Sequence, residues 1–362
     1  MKKRLLVLLL AFVFIVQLFT TVSFAAESGS TVYLAFSSDV HNQSGDVSST
    51  RLKNWINAVS EKLGVTFDNM GFCGDMGPQA LNAVTTDFWP NAKKAMDEVK
   101  NNENVLGNGF FVCGNHEYSP GNYSHNVNDV TRRYSDPGDY IETPSYILYS
   151  FGARQYDEIF HDDDIAAMSS FLDSHSDFKG PIFILSHFPL HRYTRTALWG
   201  SGSSSQRETS AIHDGNASVG SAKVISALNK AVEKNGQTIV FLWGHNHSDT
   251  NQYYDAVYTD SINNTPIRFV YASAGCMADS ECGKSENVKG KGLVAAISEN
   301  SLTMSYYEAD GTLVGTPKVI SLAPQRSSDS CCLSSLFDLS NLFHWDNLFG
   351  ENSLFDFGSF FD

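Results

Sequence analysis

Between residues 31 and 322, short apolar runs of strand period alternate with stretches whose apolar residues recur at helical spacing. In 31–37, Val32, Leu34 and Phe36 fall on alternate positions, which predicts a strand with one buried face. Leu52, Trp55, Ile56, Val59 and Leu63 follow at helical spacing, predicting a helix that Gly64 stops. Further strands are predicted at 70–73, 109–113, 181–185, 238–243 and 267–274. Helical patterns lie between them at 89–99, with Pro90 near the start, at 165–172 after an acidic first turn, and at 224–232. Late in the chain, 293–297 and 302–307 read as a hairpin around Glu299-Asn300. Strand–helix alternation followed by strands argues for an α/β layered sandwich. The Ser/Gly-rich stretch 192–219 has no periodicity and reads as a loop; loops of that length are usually functional or mobile.

Both ends depart from this pattern. Met1 to Arg4 is basic, Leu5 to Phe19 is almost wholly apolar, and Ser23-Phe24-Ala25 offers the small residues of a cleavage site. Residues 1–25 are therefore expected to be a signal peptide on a secreted, bacterial protein, with an uncleaved anchor as the alternative. The domain boundaries read as 1–25, 26–322 and 323–362. In the last of these, Leu-Phe pairs recur every six residues at Leu336, Leu342, Leu348 and Leu354. Six residues turn a helix by about 600°, which scatters the pairs around it, so an extended or disordered tail is expected. Such a tail either attaches to a surface or protein partner or packs on its own domain.

Composition narrows the classes. The chain has 362 residues, 42% of them hydrophobic and 12% aromatic, which excludes wholesale disorder. Its 25 Lys+Arg against 40 Asp+Glu give a net charge of −15, and loss of the leader's three cations makes it more acidic still. Such a surface repels polyanions, so general nucleic-acid binding is not expected. A small anionic substrate remains compatible if a metal ion dominates the local field. Of the six cysteines, Cys276 and Cys282 are spaced to close a small bridge, whereas Cys73 and Cys113 end apolar runs and read as buried thiols.

The candidate chemistry sits at strand ends. Five predicted strands run into Asp39-Val40-His41, Gly74-Asp75, Gly114-Asn115-His116-Glu117, Ser186-His187-Phe188-Pro189 and Gly244-His245-Asn246-His247. Sites in open α/β sheets form outside the carboxyl ends of strands, so these segments can converge. Each signal alone has an ordinary structural explanation; all five in order, each after an apolar strand, do not. Asp39, His41, Asp75, Asn115, His187, His245 and His247 make seven N/O donors, too many for one tetrahedral ion and suited to two ions sharing a carboxylate. Two metals can each bind a substrate oxygen and lower the pKa of a bridging water, which suits phosphate-ester hydrolysis. His116 is then free to protonate the leaving alkoxide, with Glu117 as its orienting partner.

This set resembles the calcineurin-like metallophosphoesterases, whose pattern is Asp-x-His, Gly-Asp, Gly-Asn-His-(Asp/Glu), a lone His and Gly-His-x-His. The resemblance spans roughly 32–320 and implies a four-layer α/β/β/α sandwich of two mixed sheets. It implies one divalent metal (Mn, Fe, Zn or similar) on Asp39, His41, Asp75 and His247, and a second on Asp75, Asn115, His187 and His245. His116 matches the family histidine that contacts phosphate and assists the leaving group. Two departures narrow the likeness. Asp75 is followed by Met76-Gly77-Pro78 and not by the tyrosine of purple acid phosphatases, and the large C-terminal domain of secreted nucleotidases is lacking.

The catalytic candidates are thus Asp75, His116 and Glu117. Asn115, His116, Arg192 and Arg195 are the candidate substrate contacts, the two arginines as clamps for a second phosphate or a carboxylate. A secreted hydrolase of phosphomonoesters or phosphodiesters, working through a metal-bridging hydroxide, is the expected function. The alternative is a surface-binding scaffold that keeps the fold and acts through its tail. A serine hydrolase is excluded for want of a Gly-x-Ser-x-Gly elbow.

Overall fold

The computed structural model describes residues 30–42, 47–77, 88–117, 134–151, 160–190, 215–245, 257–262, 265–277 and 290–322. The leader, Arg192, Arg195, His247, Cys282 and the tail lie outside them. In chain order the strands are β1 (Val32–Ser37), β2 (Asn69–Cys73), β3 (Phe110–Val112), β4 (Tyr134–Ser135), β5 (Tyr140–Glu142), β6 (Ile147–Ser150), β7 (Pro181–Leu185) and β8 (Thr238–Trp243). They continue as β9 (Val257–Tyr258), β10 (Ser261–Ile262), β11 (Thr265–Pro266), β12 (Val270–Ser273), β13 (Gly275–Cys276), β14 (Lys291–Ile297), β15 (Ser301–Glu308) and β16 (Leu313–Ser321). The helices are α1 (Val47–Leu63), α2 (Phe88–Lys100), α3 (Asp162–Ser174) and α4 (Gly215–Asn235).

Two mixed sheets carry the fold. The first runs β16-β15-β14-β1-β2-β3-β4, with β13 paired to β14. Its β1, β2, β3 and β4 are parallel, whereas β14 and β15 join antiparallel. The second runs β5-β6-β7-β8-β12-β9, parallel from β6 through β12 and antiparallel at both edges.

Three apolar clusters show how the layers stack. Leu34, Phe36, Phe183, Leu185, Val240, Leu242, Leu293 and Ala295 fill the space between the sheets. The intervening residues face the other way: Ala35, Met70 and Phe72 pack against Trp55 and Ile56 of α1 and Ala95 and Met96 of α2. On the far side, Ile182, Ile184, Ile239 and Phe241 meet Ile165 and Met168 of α3 and Val224 and Leu228 of α4. The fold is therefore an α/β/β/α sandwich, with the central strands buried on both faces. Each large side chain buried in these layers is worth roughly 1.5–3 kcal/mol.

Predicted elements at 181–185 and 238–243 coincide with β7 and β8. The late hairpin forms, with Ile297 opposite Leu302. One boundary moves: α4 begins at Gly215, inside the stretch read as loop, because its first turns carry no apolar period. Strand β16 was not predicted; most of its residues are exposed on both faces, so no alternation marks it. Among the described residues no helix is long and apolar enough to cross a membrane.

Candidate metal centre

The loops after β1 and β2 lie side by side and exchange main-chain hydrogen bonds. Asp39 N donates to Gly74 O, His41 N to Asp75 O and Asn42 N to Met76 O, each at 3.0 Å. Across the sandwich, Gly244 N donates to His187 O at 3.0 Å, pairing the loops after β7 and β8. The two sheets meet where His245 N donates to Asp39 Oδ2 at 2.9 Å. Asp39, His41, Asp75, Asn115, His116 and His187 are all buried there, and His245 is half-buried.

Backbone conformation distinguishes this cluster. Among the described residues, the non-glycine residues in the left-handed region are Asp39 (φ 49°), His41 (φ 43°), Asp75 (φ 56°) and His245 (φ 71°). Each is a predicted ligand, and each such residue costs roughly 1–2 kcal/mol. Tight packing of the same loops demands two glycines. A Cβ on Gly74 would collide with His187 Nδ1 and come within 2.8 Å of Gly114 Cα, and one on Gly114 would strike the Asp75 carboxylate.

The donors gather around Asp75. Its Oδ1 accepts from His116 N at 3.0 Å. Its Oδ2 accepts no hydrogen bond of normal geometry, yet lies 3.2 Å from His187 Nε2, 3.6 Å from His41 Nε2 and 3.8 Å from His116 Nε2. His187 Nε2 is also 2.8 Å from Asn115 Oδ1 and 3.1 Å from His245 Nδ1, and the last two atoms are 3.1 Å apart. Asp39 Oδ1 stands 3.8 Å from His41 Nε2. Six of the seven predicted ligands are thus together, and the seventh, His247, lies outside the described residues.

These residues fit divalent cations. A tetrahedral ion with bonds of about 2.0–2.1 Å has ligand–ligand edges of about 3.3 Å. The distances from His187 Nε2 to Asp75, Asn115 and His245, and from Asn115 to His245, run from 2.8 to 3.2 Å, close to that figure. His187 Nδ1 faces the Cys73 carbonyl at 2.7 Å, so it carries a hydrogen and leaves Nε2 as the donor atom.

The electrostatics follow from burial among like groups. Burial, only partly offset by His187, raises the Asp39 carboxyl to about 7. Burial alone would also raise Asp75, but the imidazoles of His187 and His116 outweigh it and hold that carboxyl well below its usual range. The reverse holds for His187: desolvation pulls it down, while Asp75 and Asp39 push it up to about 10. Without a cation, protons hold the cluster together.

Glu117 takes a different place from the one read for it beside His116. It is buried, and its Oε2 accepts from Asp75 N at 2.9 Å and Gly114 N at 2.6 Å. Oε1 accepts from Met76 N at 2.9 Å and the Tyr134 hydroxyl at 3.1 Å. His116 instead packs its ring edge-to-face on His41, with centroids 4.7 Å apart.

Ser38 was missed by sequence reasoning. Its hydroxyl lies 2.5 Å from both Asp39 Oδ2 and Gly275 O, tying Asp39 to β13. Its adjacency to Asp39 was the only signal available. Cys276 places its sulfur 3.8 Å from Asp39 O.

Solved proteins share this fold. The structure is similar to a dimetal phosphatase from Danio rerio, with 12% identity, a TM-score of 0.52, and coverage of 81% of this chain and 99% of that one. It is also similar to a purple acid phosphatase from yellow lupin (Lupinus luteus) seeds, at 12% identity and a TM-score of 0.52, covering 81% of this chain and 54% of the lupin chain. Identities this low speak to the fold alone. No curated protein sequence matches the chain. Residues 33–249, more than half of the chain and containing every strand-end motif, match the calcineurin-like phosphoesterase model, and the chain belongs to that family.

Proposed function

We propose that the protein is a binuclear-metal phosphoesterase that acts outside the cytoplasm on small phosphomonoesters or phosphodiesters. Carrying this reading is Asp75 Oδ2, a buried oxygen that accepts no hydrogen bond of normal geometry and faces three imidazole Nε2 atoms. Such an oxygen is suited to being shared between cations. Asp39, His41, Asp75 and His247 would hold one, and Asp75, Asn115, His187 and His245 the other. Divalent cations, when bound, supply Lewis acidity toward phosphoryl oxygens and acidify water to near-neutral pKa.

The chain's own residues do the rest. The Cys73 carbonyl orients His187. Main-chain N–H of His116 clamps Asp75 Oδ1 and leaves Oδ2 turned inward. The His116 imidazole holds a proton for the departing alkoxide. Arg192 and Arg195 are proposed to clamp a second phosphate or a carboxylate. The net charge of −15 supports a small substrate over a nucleic acid. The basic-then-apolar leader supports export, and the Leu-Phe hexads support attachment of the tail to a surface or protein partner.

Hydrolysis of p-nitrophenyl phosphate and bis-p-nitrophenyl phosphate by Mn²⁺-loaded protein tests the proposal. At least one ester is expected to turn over, with loss on chelation and recovery on adding Mn²⁺ back. Faster monoester turnover would indicate a phosphatase, and faster diester turnover a phosphodiesterase. Bound metal with no turnover of either ester would overturn the enzyme reading and leave a scaffold that acts through its tail.

A further inference from the structure

The Glu117 carboxylate receives four hydrogen bonds, from Asp75 N, Gly114 N, Met76 N and the Tyr134 hydroxyl. Four is about the full acceptor capacity of a carboxylate. Nothing remains to steer an imidazole or meet a substrate, and the side chain is buried. Three of the four donors are main-chain N–H groups, and they belong to the two loops that carry Asp75 and Asn115.

A reciprocal contact closes the arrangement. Glu117 accepts from Asp75 N, and the Asp75 carboxylate accepts from His116 N, one residue before Glu117, at 3.0 Å. The pair of carboxylates therefore locks the β2 loop to the β3 loop from both sides. The lock acts where it is needed, because Asp75 sits in the left-handed region at φ 56°, a conformation its neighbours must impose.

Resting on the metal-centre reading above, we propose that Glu117 is a positioning residue. Its carboxylate fixes the backbone of the Asp75 and Asn115 loops at the spacing that cation binding requires, and so sets metal affinity without touching metal or substrate. Glu117→Gln is the sharpest variant. An amide offers one acceptor oxygen and turns its NH₂ toward N–H or O–H donors at the other position.

The experiment measures Mn²⁺ affinity by titration calorimetry and ester turnover at rising Mn²⁺, on the full chain. Outer partners of metal ligands typically contribute about 10- to 100-fold in affinity, and a loss of that size is expected for E117Q. Turnover should recover toward the wild-type kcat once Mn²⁺ saturates, with the pH profile unshifted. E117D keeps the charge and both acceptor oxygens, and is expected to fall between E117Q and wild type; it also serves if E117Q does not fold. Mn²⁺ affinity within twofold of wild type in E117Q, or in E117D where E117Q fails to fold, would overturn the role. So would a kcat that stays low at saturating Mn²⁺, which would assign Glu117 to the chemistry. A wild-type chain that binds no Mn²⁺ would instead overturn the metal-centre reading itself.

Discussion

The two halves of the cluster are built differently. Around His187, donor atoms of Asp75, Asn115 and His245 crowd to between 2.8 and 3.2 Å, whereas around His41 the distances to Asp75 and Asp39 open to 3.6 and 3.8 Å. Crowding on the first side comes from both sheets, since its candidate ligands follow β2, β3, β7 and β8. The described ligands of the other side follow β1 and β2 alone, neighbours joined by main-chain pairing. Crowded donors repel unless something positive lies between them. In the absence of a metal, a proton on His187 fills that role; the His187 half is already at the spacing of a cation's ligands and is expected to bind the tighter of two metals.

Asp75 belongs to both halves, so its loss should have the largest effect. Asp75→Asn is expected to lower turnover by at least about 1,000-fold, as cation stabilisation is worth several kcal/mol. Metal stoichiometry, measured on dialysed protein, should fall below that of wild type. Retention of two ions per chain would show that the halves do not share this oxygen.

Single-ligand variants should separate the halves. His187→Ala is expected to remove the tighter binding phase and cut turnover by about 100-fold or more, whereas His41→Ala should remove the weaker phase and leave the tighter one near its wild-type affinity. Calorimetric Mn²⁺ isotherms read both phases. Equal weakening of both phases in either variant would show that the two halves do not bind cations separately.

The smallest effect is on pH. His187 faces a carbonyl at Nδ1 and oxygens at Nε2, and with its pKa pushed up to about 10 it is cationic at neutral pH when no metal is bound. A ligating imidazole must be neutral, so cation uptake releases a proton and tightens as pH rises, by about tenfold per pH unit below that pKa. The check is calorimetry in buffers of different ionisation enthalpy, where uptake by His187→Ala should release about one proton fewer than wild type. No difference in proton release would mean that His187 enters the reaction neutral.

Much of this molecule was legible from the chain alone. Strands β7 and β8 were read to the residue because a short continuous apolar run bounded by glycine or polar residues is a local signal. The convergence of six of the seven candidate ligands was legible because each lies just beyond an apolar run, and strand ends converge in layered sheets. Other features depended on partners distant in sequence. Nothing in the 30s announces that β14, some 260 residues later, pairs antiparallel with β1. The left-handed backbone at Asp39, His41, Asp75 and His245 is imposed by loops pressed together from both sheets, not by local preference.

Glu117 shows the division most clearly. Its place in a Gly-Asn-His-Glu run drew attention to it, but adjacency to His116 suggested a partner it does not take. Chain order determined which chemical groups reach the strand ends, because a side chain's type and a strand's period are properties of short segments. Which group binds which was decided by the tertiary structure, because a buried carboxylate takes the donors packing brings to it, and here they are main-chain N–H groups of two loops and a hydroxyl on β4.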